Sequence, residues 1–382
     1  MITSGFAYVA VLLFLAAVLV YAEKKEVLRL FRWVPAVVLL YLLTMLLATL
    51  GLWDQAATAP AYRALKNNLT YAMIFAMLLR CDVRKLAGLG GKMILGFFAA
   101  SVTIILGFLG TFALLKNPLG EDAWKGLGAL CGSWLGGAGN MLAVQAALEI
   151  SEAEMGYALL IDSVVYAVWL MFLLWAVTRA DRFNRRIGAA PAAGRLPGAE
   201  TKKAVPATFE SLFLVLGAAL LGSAAAQWAG EGLYRLLPFL DAGTWTVLTV
   251  TALGALAALS PLGRIGGTAE ISGMLLYAVI PLLASRAGLT ELSNAPVWIG
   301  AGFLILLIHA GLMLLCCRLF RLDLFTAALS SLANIGGTAS APVLAGAYSE
   351  DLVPAGILMA LMGYLVGTPL GLLTAGLMEK MA

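Results

Sequence analysis

Apolar runs of about 20 residues recur along the whole chain, and they limit its fold more than any other feature of the sequence. A helical run of about this length spans the hydrocarbon core of a bilayer. The chain is 62% hydrophobic and only 12% charged, whereas soluble domains carry roughly 25% charged residues. The pattern therefore predicts an all-α integral membrane protein.

Hydropathy predicts ten uninterrupted spans and two interrupted ones. In the first half the uninterrupted spans lie near 5–22, 33–52, 69–80, 92–115 and 155–178, with an interrupted segment at 124–148. An amphipathic stretch that begins at Tyr62 precedes the span at 69–80. In the second half the spans lie near 209–229, 243–262, 270–285, 296–317 and 354–377, with an interrupted segment at 324–348. The first run has no basic stretch before it and no small-residue cleavage site before Glu23, so we expect a retained span.

The two interrupted segments contain glycines and polar side chains within sequence that is otherwise as apolar as a membrane span. They are most polar at Ala129 to Leu148 and at Ser330 to Ala347. Glycine weakens a helix by roughly 1 kcal/mol relative to alanine. Each backbone group left unpaired in lipid costs several kcal/mol. We therefore expect a broken backbone at these two places, lining a cavity walled by protein.

The second half of the chain repeats the first. The segment LTYAMIFAMLLRCDVRKL from Leu69 matches LLYAVIPLLASRAGLTEL from Leu275. The pair Gly136-Gly137 aligns with Gly336-Gly337, Ser151-Glu152 with Ser349-Glu350, and Tyr166 with Tyr364. The match predicts one duplicated unit: a first repeat at 1–178, a polar linker at 179–208 and a second repeat at 209–382.

The distribution of basic residues predicts the topology. If each interrupted segment enters and returns on the same side, 18 of the 25 lysines and arginines lie on one side; if both segments cross, the split is 10 against 15. The first arrangement leaves five crossings per repeat, so the second repeat is inverted. That is the architecture of many secondary transporters. We expect a multi-pass protein of the cell membrane, with both termini outside and the linker cytoplasmic. One alternative stays open: the interrupted segments cross the membrane and some other segment of each repeat does not.

Broken helices in a membrane can bind solutes and ions without charged side chains. Their N-terminal ends attract anions and their carbonyl ends attract cations. The candidate residues of the first segment are Ser133, Trp134, Gly136, Gly137, Gly139, Asn140 and Gln145, and those of the second are Asn334, Gly336, Gly337, Thr338 and Ser340. The alternative is that these glycines only permit close helix packing. Packing requires small residues at every fourth position, and the clustering of these glycines argues against a role in packing alone.

Two ionisable residues lie within predicted spans and are functional candidates for that reason. Asp162 could hold a coupling cation or exchange a proton, or be a hydrogen-bonded structural carboxyl. His309, the one histidine, could carry protons or be a packed polar residue. A sodium site is expected near Asn140, Asn334 and Asp162, and no other cofactor is expected.

Three stretches resemble the membrane family known as domain of unknown function 819: GSWLGGAGN at Gly132 to Asn140, ANIGGTASAP at Ala333 to Pro342, and MALMGYLVGTPLG at Met359 to Gly371. The resemblance implies the fold group of cation/proton antiporters and anion transporters. More distantly, Gly136-Gly137-Ala138-Gly139 is similar to the GGxG motif of sodium-coupled citrate and glutamate symporters. The second copy ends in Ala339 instead of glycine, so the similarity does not imply that this chain has the substrates of those symporters.

These features predict a secondary active transporter of a small anionic organic solute, coupled to Na⁺ or H⁺, with alternating access around the two broken helices. A cation/proton antiporter is the alternative, with Asp162 as its acid. An intramembrane enzyme would need Ser133 or Cys131 as nucleophile and His309 as base, and we do not expect an enzyme. The chain has no GxxxxGK[ST] motif for ATP. The expected partners are the solute and the lipid bilayer, with no nucleic acid; a homodimer follows by analogy alone.

Overall fold

The computed structural model describes residues 1–27, 31, 36–81, 89–120, 122–177, 179–190, 205–238, 240, 242–286, 295–348 and 352–382. Over these residues the regular structure is helical, apart from an isolated bridge between Ile2 and Trp53. The predicted all-α class is therefore confirmed. The second Ser-Glu step at Ser349-Glu350 and residues 191–204 of the linker lie outside the described residues.

The described helices of the first repeat and linker are α1 (Gly5–Lys24), α2 (Ala36–Thr49), α3 (Gln55–Leu78), α4 (Gly91–Leu119), α5 (Ala123–Gly136), α6 (Ala138–Leu148), α7 (Glu152–Val177) and α8 (Ala180–Ile187). Those of the second repeat are α9 (Phe209–Leu236), α10 (Ala242–Ala258), α11 (Thr268–Ala284), α12 (Ala295–Phe320), α13 (Leu324–Ile335), α14 (Gly337–Tyr348) and α15 (Val353–Glu379). Among the described residues, each half has three helices, then a long helix, the two parts of the broken segment and a final long helix. This succession is what a duplication predicts.

Six helices in the described ranges are long and apolar enough to cross a membrane: α1, α4, α7, α9, α12 and α15. Other predicted spans are shorter apolar helices, such as α2, α10 and α11. The span predicted at 69–80 is the apolar end of α3, which begins earlier because the Asp54 carboxylate caps its first turn by accepting from Ala57 N–H. The polar linker contains the amphipathic helix α8, with Ala180 and Asn184 buried.

Both interrupted segments break at their glycine pair and reverse direction there. Gly137 has φ of +87° and ψ of 174°, and Gly337 has φ of +57°, conformations that favour glycine. A Cβ added to Gly132 would lie 2.9 Å from Cγ2 of Val144, so α6 folds back along α5. In the second segment the rings of Phe325 and Tyr348 stack with centroids 4.5 Å apart, so α14 folds back along α13. A re-entrant topology requires this reversal.

The helices form two compact units, and each draws on both halves of the sequence. The first unit comprises residues 1–79, 145–163 and 205–296, and the second comprises 80–144, 164–204 and 297–382. The first unit thus contains the first three helices of each repeat. Both glycine pairs lie in the second unit.

Helix α5 packs on α15 through small residues spaced four apart. A Cβ added to Gly128 would lie 2.6 Å from Cβ of Ala375, and one added to Gly136 would lie 2.2 Å from the carbonyl oxygen of Gly363. A Cβ added to Gly371 would lie 2.9 Å from Cα of Gly132. Our sequence argument against packing was therefore wrong for Gly136, because Gly128, Gly132 and Gly136 do form a close-packed row. Packing and function are not exclusive at this position.

Candidate solute and ion site

The two glycine breaks face each other within the second unit. We call Gly136-Gly137 and Gly336-Gly337 the glycine tips. A Cβ placed on Gly337 would lie 4.0 Å from Cα of Gly137. The predicted meeting of the two broken segments is therefore observed at their tips.

Two tyrosines contact the glycine tips in a crossed arrangement. The ring of Tyr364, on α15, lies 3.7 Å from a Cβ added to Gly137, and its hydroxyl is 2.8 Å from Oγ1 of Thr338. Tyr166, on α7, lies 2.7 Å from a Cβ added to Gly336. The two tyrosines occupy matching positions of the repeat. Each therefore contacts the tip of the other half of the sequence.

The N-terminal ends of α6 and α14 begin at the glycine tips. First-turn amides of a helix have no acceptor within that helix, and they carry a partial positive charge. At the start of α14, Ser340 is buried, and its hydroxyl has no hydrogen-bond partner among the described residues. Gly139 is buried in the first turn of α6. The tips thus offer amide donors and a free hydroxyl.

Asn140 joins the first tip to α15. Its Nδ2 donates to the carbonyl oxygen of Gly136 at 2.7 Å, and its Oδ1 accepts from Oγ1 of Thr368 at 2.6 Å. The side chain is 1% exposed. A carbonyl oxygen has two lone pairs, so Oδ1 retains one for a cation.

Asn334 points away from the tips and toward α4. Its Oδ1 accepts from Oγ of Ser101 at 2.8 Å, and its Nδ2 donates to the carbonyl oxygens of Ser330 and Phe97. The two predicted asparagines therefore bind different helices. A shared sodium site that includes both amides does not follow from this arrangement.

Ser133 and Trp134 are buried in α5 and serve the helix and its packing. The carbonyl oxygen of Ser133 accepts from N–H of Gly137, and the Trp134 ring packs edge-on against Phe108 at 5.5 Å. Neither side chain is more than 1% exposed.

His309 belongs to a separate buried hydrogen-bond chain. Trp169 Nε1 donates to Ser331 Oγ at 2.9 Å, Ser331 lies 2.8 Å from His309 Nε2, and His309 Nδ1 lies 2.8 Å from Thr103 Oγ1. Every polar hydrogen has an acceptor if Ser331 donates to Nε2 and Nδ1–H donates to Thr103, which then donates to a carbonyl of α4. That assignment makes the imidazole neutral. Both ring nitrogens are engaged, and neither binds Ser133 or Cys131.

Gln145 and Asp162 belong to the first unit and not to the unit that contains the tips. Gln145 is fully buried; its Nε2 donates to the carbonyl oxygen of Ile150, and its Oε1 has no partner among the described residues. Asp162 is half-buried within α7. A site that joins Asp162 to the asparagines therefore stays a prediction.

Sequence reasoning missed a charged cluster in the first unit. Glu152 accepts from the Tyr62 hydroxyl at 2.5 Å and lies 3.7 Å from the ammonium group of Lys66. Its second carboxylate oxygen is buried without a hydrogen-bond partner among the described residues. The Tyr62 ring also lies 4.8 Å beneath the guanidinium of Arg286. Only the acidic Ser-Glu step of the repeat pointed to Glu152.

Sequence reasoning also missed Arg80. Its guanidinium carbon lies 5.9 Å from the ring centroid of Tyr364, the residue that contacts Gly137 and Thr338. The sequence did contain a signal for it, because Arg80 and Arg286 occupy equivalent positions of the two repeat segments. The described residues contain no group of three or more His, Cys, Asp or Glu arranged to hold a metal ion.

The helices and the facing breaks define a multi-span α-helical membrane protein with paired broken helices. Comparison with known families gives a match to the family described as protein of unknown function (DUF819), over residues 10–381. The chain therefore belongs to this family. It is also similar to an uncharacterized membrane protein of Bacillus subtilis (strain 168), YjcL, with 24% identity over 331 residues that cover 82% of each chain.

Proposed function

We propose that this protein is a secondary active transporter that moves a small anionic organic solute, coupled to Na⁺ or H⁺. The observation that carries the proposal is the approach of the two glycine tips, where a Cβ added to Gly337 would lie 4.0 Å from Cα of Gly137, with Tyr364 in contact with both segments. Packing alone explains Gly136, but it does not require two broken helices whose ends meet. The N-terminal ends of α6 and α14 at the tips can bind an anion, and the C-terminal ends of α5 and α13 at the same place can bind its coupling cation.

Alternating access follows from the same arrangement in this proposal. A side-chain hydrogen bond joins each tip segment to α15, between Thr338 and Tyr364 in one and between Asn140 and Thr368 in the other. Each such bond contributes only about 0.5–1.5 kcal/mol. A solute that binds at the tips can exchange these bonds at small cost, so the contacts of the tip segments with α15 can change during transport.

Solute flux into proteoliposomes tests the proposal. We expect an imposed Na⁺ or H⁺ gradient to drive uptake of at least one compound from a panel of radiolabelled mono-, di- and tricarboxylates. Tyr364→Phe should lower uptake about tenfold, because it removes the hydroxyl that binds Thr338. Tyr348→Phe is the matched control, because that ring stacks on Phe325 away from the tips. Absence of gradient-driven flux for every carboxylate of the panel would refute the anionic substrate, and its absence for their neutral amides as well would refute ion-coupled transport.

The coupling ion is tested by Asp162→Asn in the same vesicles. If the carboxylate carries the coupling charge, the variant should retain solute binding and lose gradient-driven accumulation. Unchanged accumulation and pH dependence would reduce Asp162 to a structural group. Exchange of Na⁺ for H⁺ without any solute, followed with a pH-sensitive dye, would instead favour the antiporter.

A further inference from the structure

Arg80 places a cation beside the glycine tips. It is half-buried and lies just beyond the end of α3, where Sγ of the next residue, Cys81, donates to the carbonyl oxygen of Leu361 at 3.1 Å. Its distance of 5.9 Å from the Tyr364 ring centroid is at the outer limit of a cation–π contact, about 6 Å. The ring therefore positions the guanidinium without occupying its N–H groups.

The guanidinium of Arg80 has no carboxylate and no hydrogen-bond acceptor among the described residues; its one contact there is with Tyr364. A guanidinium offers five donors in a planar fork that matches a carboxylate. Charges removed from water are normally paired, because an unpaired one is costly. A half-buried arginine without such a partner is suited to an anionic ligand.

The repeat provides an internal comparison. Arg286 is the matching arginine of the second copy, and it lies in the first unit. Its guanidinium lies over the rings of Tyr8 and Tyr62, and it donates to both oxygens of Gln55 and to Thr58. Arg286 is thus held by protein acceptors, whereas Arg80 has its fork available.

We propose that Arg80 binds the carboxylate of the transported solute in front of the two glycine tips. The proposal rests on the transporter function proposed above and narrows its substrate class to carboxylates. One face of the carboxylate meets the guanidinium fork. The hydroxyls of Thr338 and Tyr364 and the first-turn amides of α6 and α14 lie on the side of the tips.

Ligand-induced thermal shift and equilibrium binding of the purified protein test the assignment. The probes are three pairs that differ in charge: L-glutamate and L-glutamine, succinate and succinamide, and L-lactate and lactamide. We expect at least one acid to bind and its amide to bind at least tenfold more weakly. Arg80→Gln should weaken binding of that acid about 10- to 100-fold, the range expected for hydrogen bonds to a charged group. Arg80→Lys should recover part of the affinity, because it keeps the charge and loses the fork.

Arg286→Gln is the matched control. It removes the same charge at the equivalent repeat position, so it should lower the melting temperature and leave the Kd for the acid within about threefold. Equal binding of acid and amide, or unchanged affinity in a folded Arg80→Gln protein, would overturn the Arg80 assignment. If only a neutral solute is moved by an ion gradient, ion-coupled transport stands, and the anionic substrate class and the Arg80 assignment fail. If no probe binds and no solute moves, both fail.

Discussion

Gly136→Ala tests the close approach of α5 to α15. The added Cβ would lie 2.2 Å from the carbonyl oxygen of Gly363 and 2.1 Å from Nδ2 of Asn140. An ordinary carbon–oxygen contact is about 3.3 Å, so the two helices must separate by about 1 Å. Overpacking of this kind typically costs about 1–3 kcal/mol. The displaced amide of Asn140 also strains its bond to Thr368.

The assay is thermal unfolding in detergent together with solute flux in proteoliposomes. Gly136→Ala should lower the melting temperature by several degrees and reduce flux. Gly132→Ala should have a smaller effect, because its nearest atom is the end of the Val144 side chain at 2.9 Å. Gly311→Ala is the control, since its added Cβ meets no atom within 4 Å. If Gly136→Ala unfolds at the same temperature as Gly311→Ala, the packing of α5 on α15 described here is wrong.

Three further predictions concern other parts of the chain. Gly137→Ala should cost about 1–3 kcal/mol, because φ of +87° with ψ of 174° suits glycine alone; unchanged thermal unfolding would contradict that backbone. Asn334→Ala should cost about 1–3 kcal/mol, because it removes the buried hydrogen bonds that join Asn334 to Ser101 and to the carbonyl oxygens of Ser330 and Phe97; a urea or thermal melt measures it. Burial raises the pKa of Glu152, which precedes the apolar span 154–176, above its ordinary 4.5. Stability should therefore fall as pH rises from about 4.5 through the folded-state pKa, and Glu152→Gln should remove that slope in melts taken across pH.

The helices and their breaks could be predicted from the sequence because both depend on local properties. Apolar runs of membrane length specify helices, and a glycine pair flanked by amides specifies a break. The distribution of lysines and arginines predicted the re-entrant arrangement, and the reversal of the chain at both tips agrees with that prediction. The start of α3 was missed because its first turns are polar and carry no hydropathy signal.

The partners of the polar residues could not be predicted, because contacts between helices depend on the rotational phase of each helix. Asn140 and Asn334 sit near equivalent breaks, yet one binds α15 and the other binds α4. The Glu152–Lys66 pair joins α7 to α3, which are far apart in sequence. Arg80 could have been predicted as a candidate, since it aligns with Arg286 in the two repeat segments.

The two asparagines explain how neutral residues can stabilise broken helices and still leave room for an ion. Asn140, of the first repeat, is held by Thr368 of the second, and Asn334, of the second, is held by Ser101 of the first. Each break is therefore braced by a hydroxyl from the other half of the sequence. The bracing hydroxyl uses one lone pair of the amide oxygen, and a second lone pair remains. A sodium ion could bind at such an oxygen without breaking the helix contact, so ion binding and the packing of the tips need not compete.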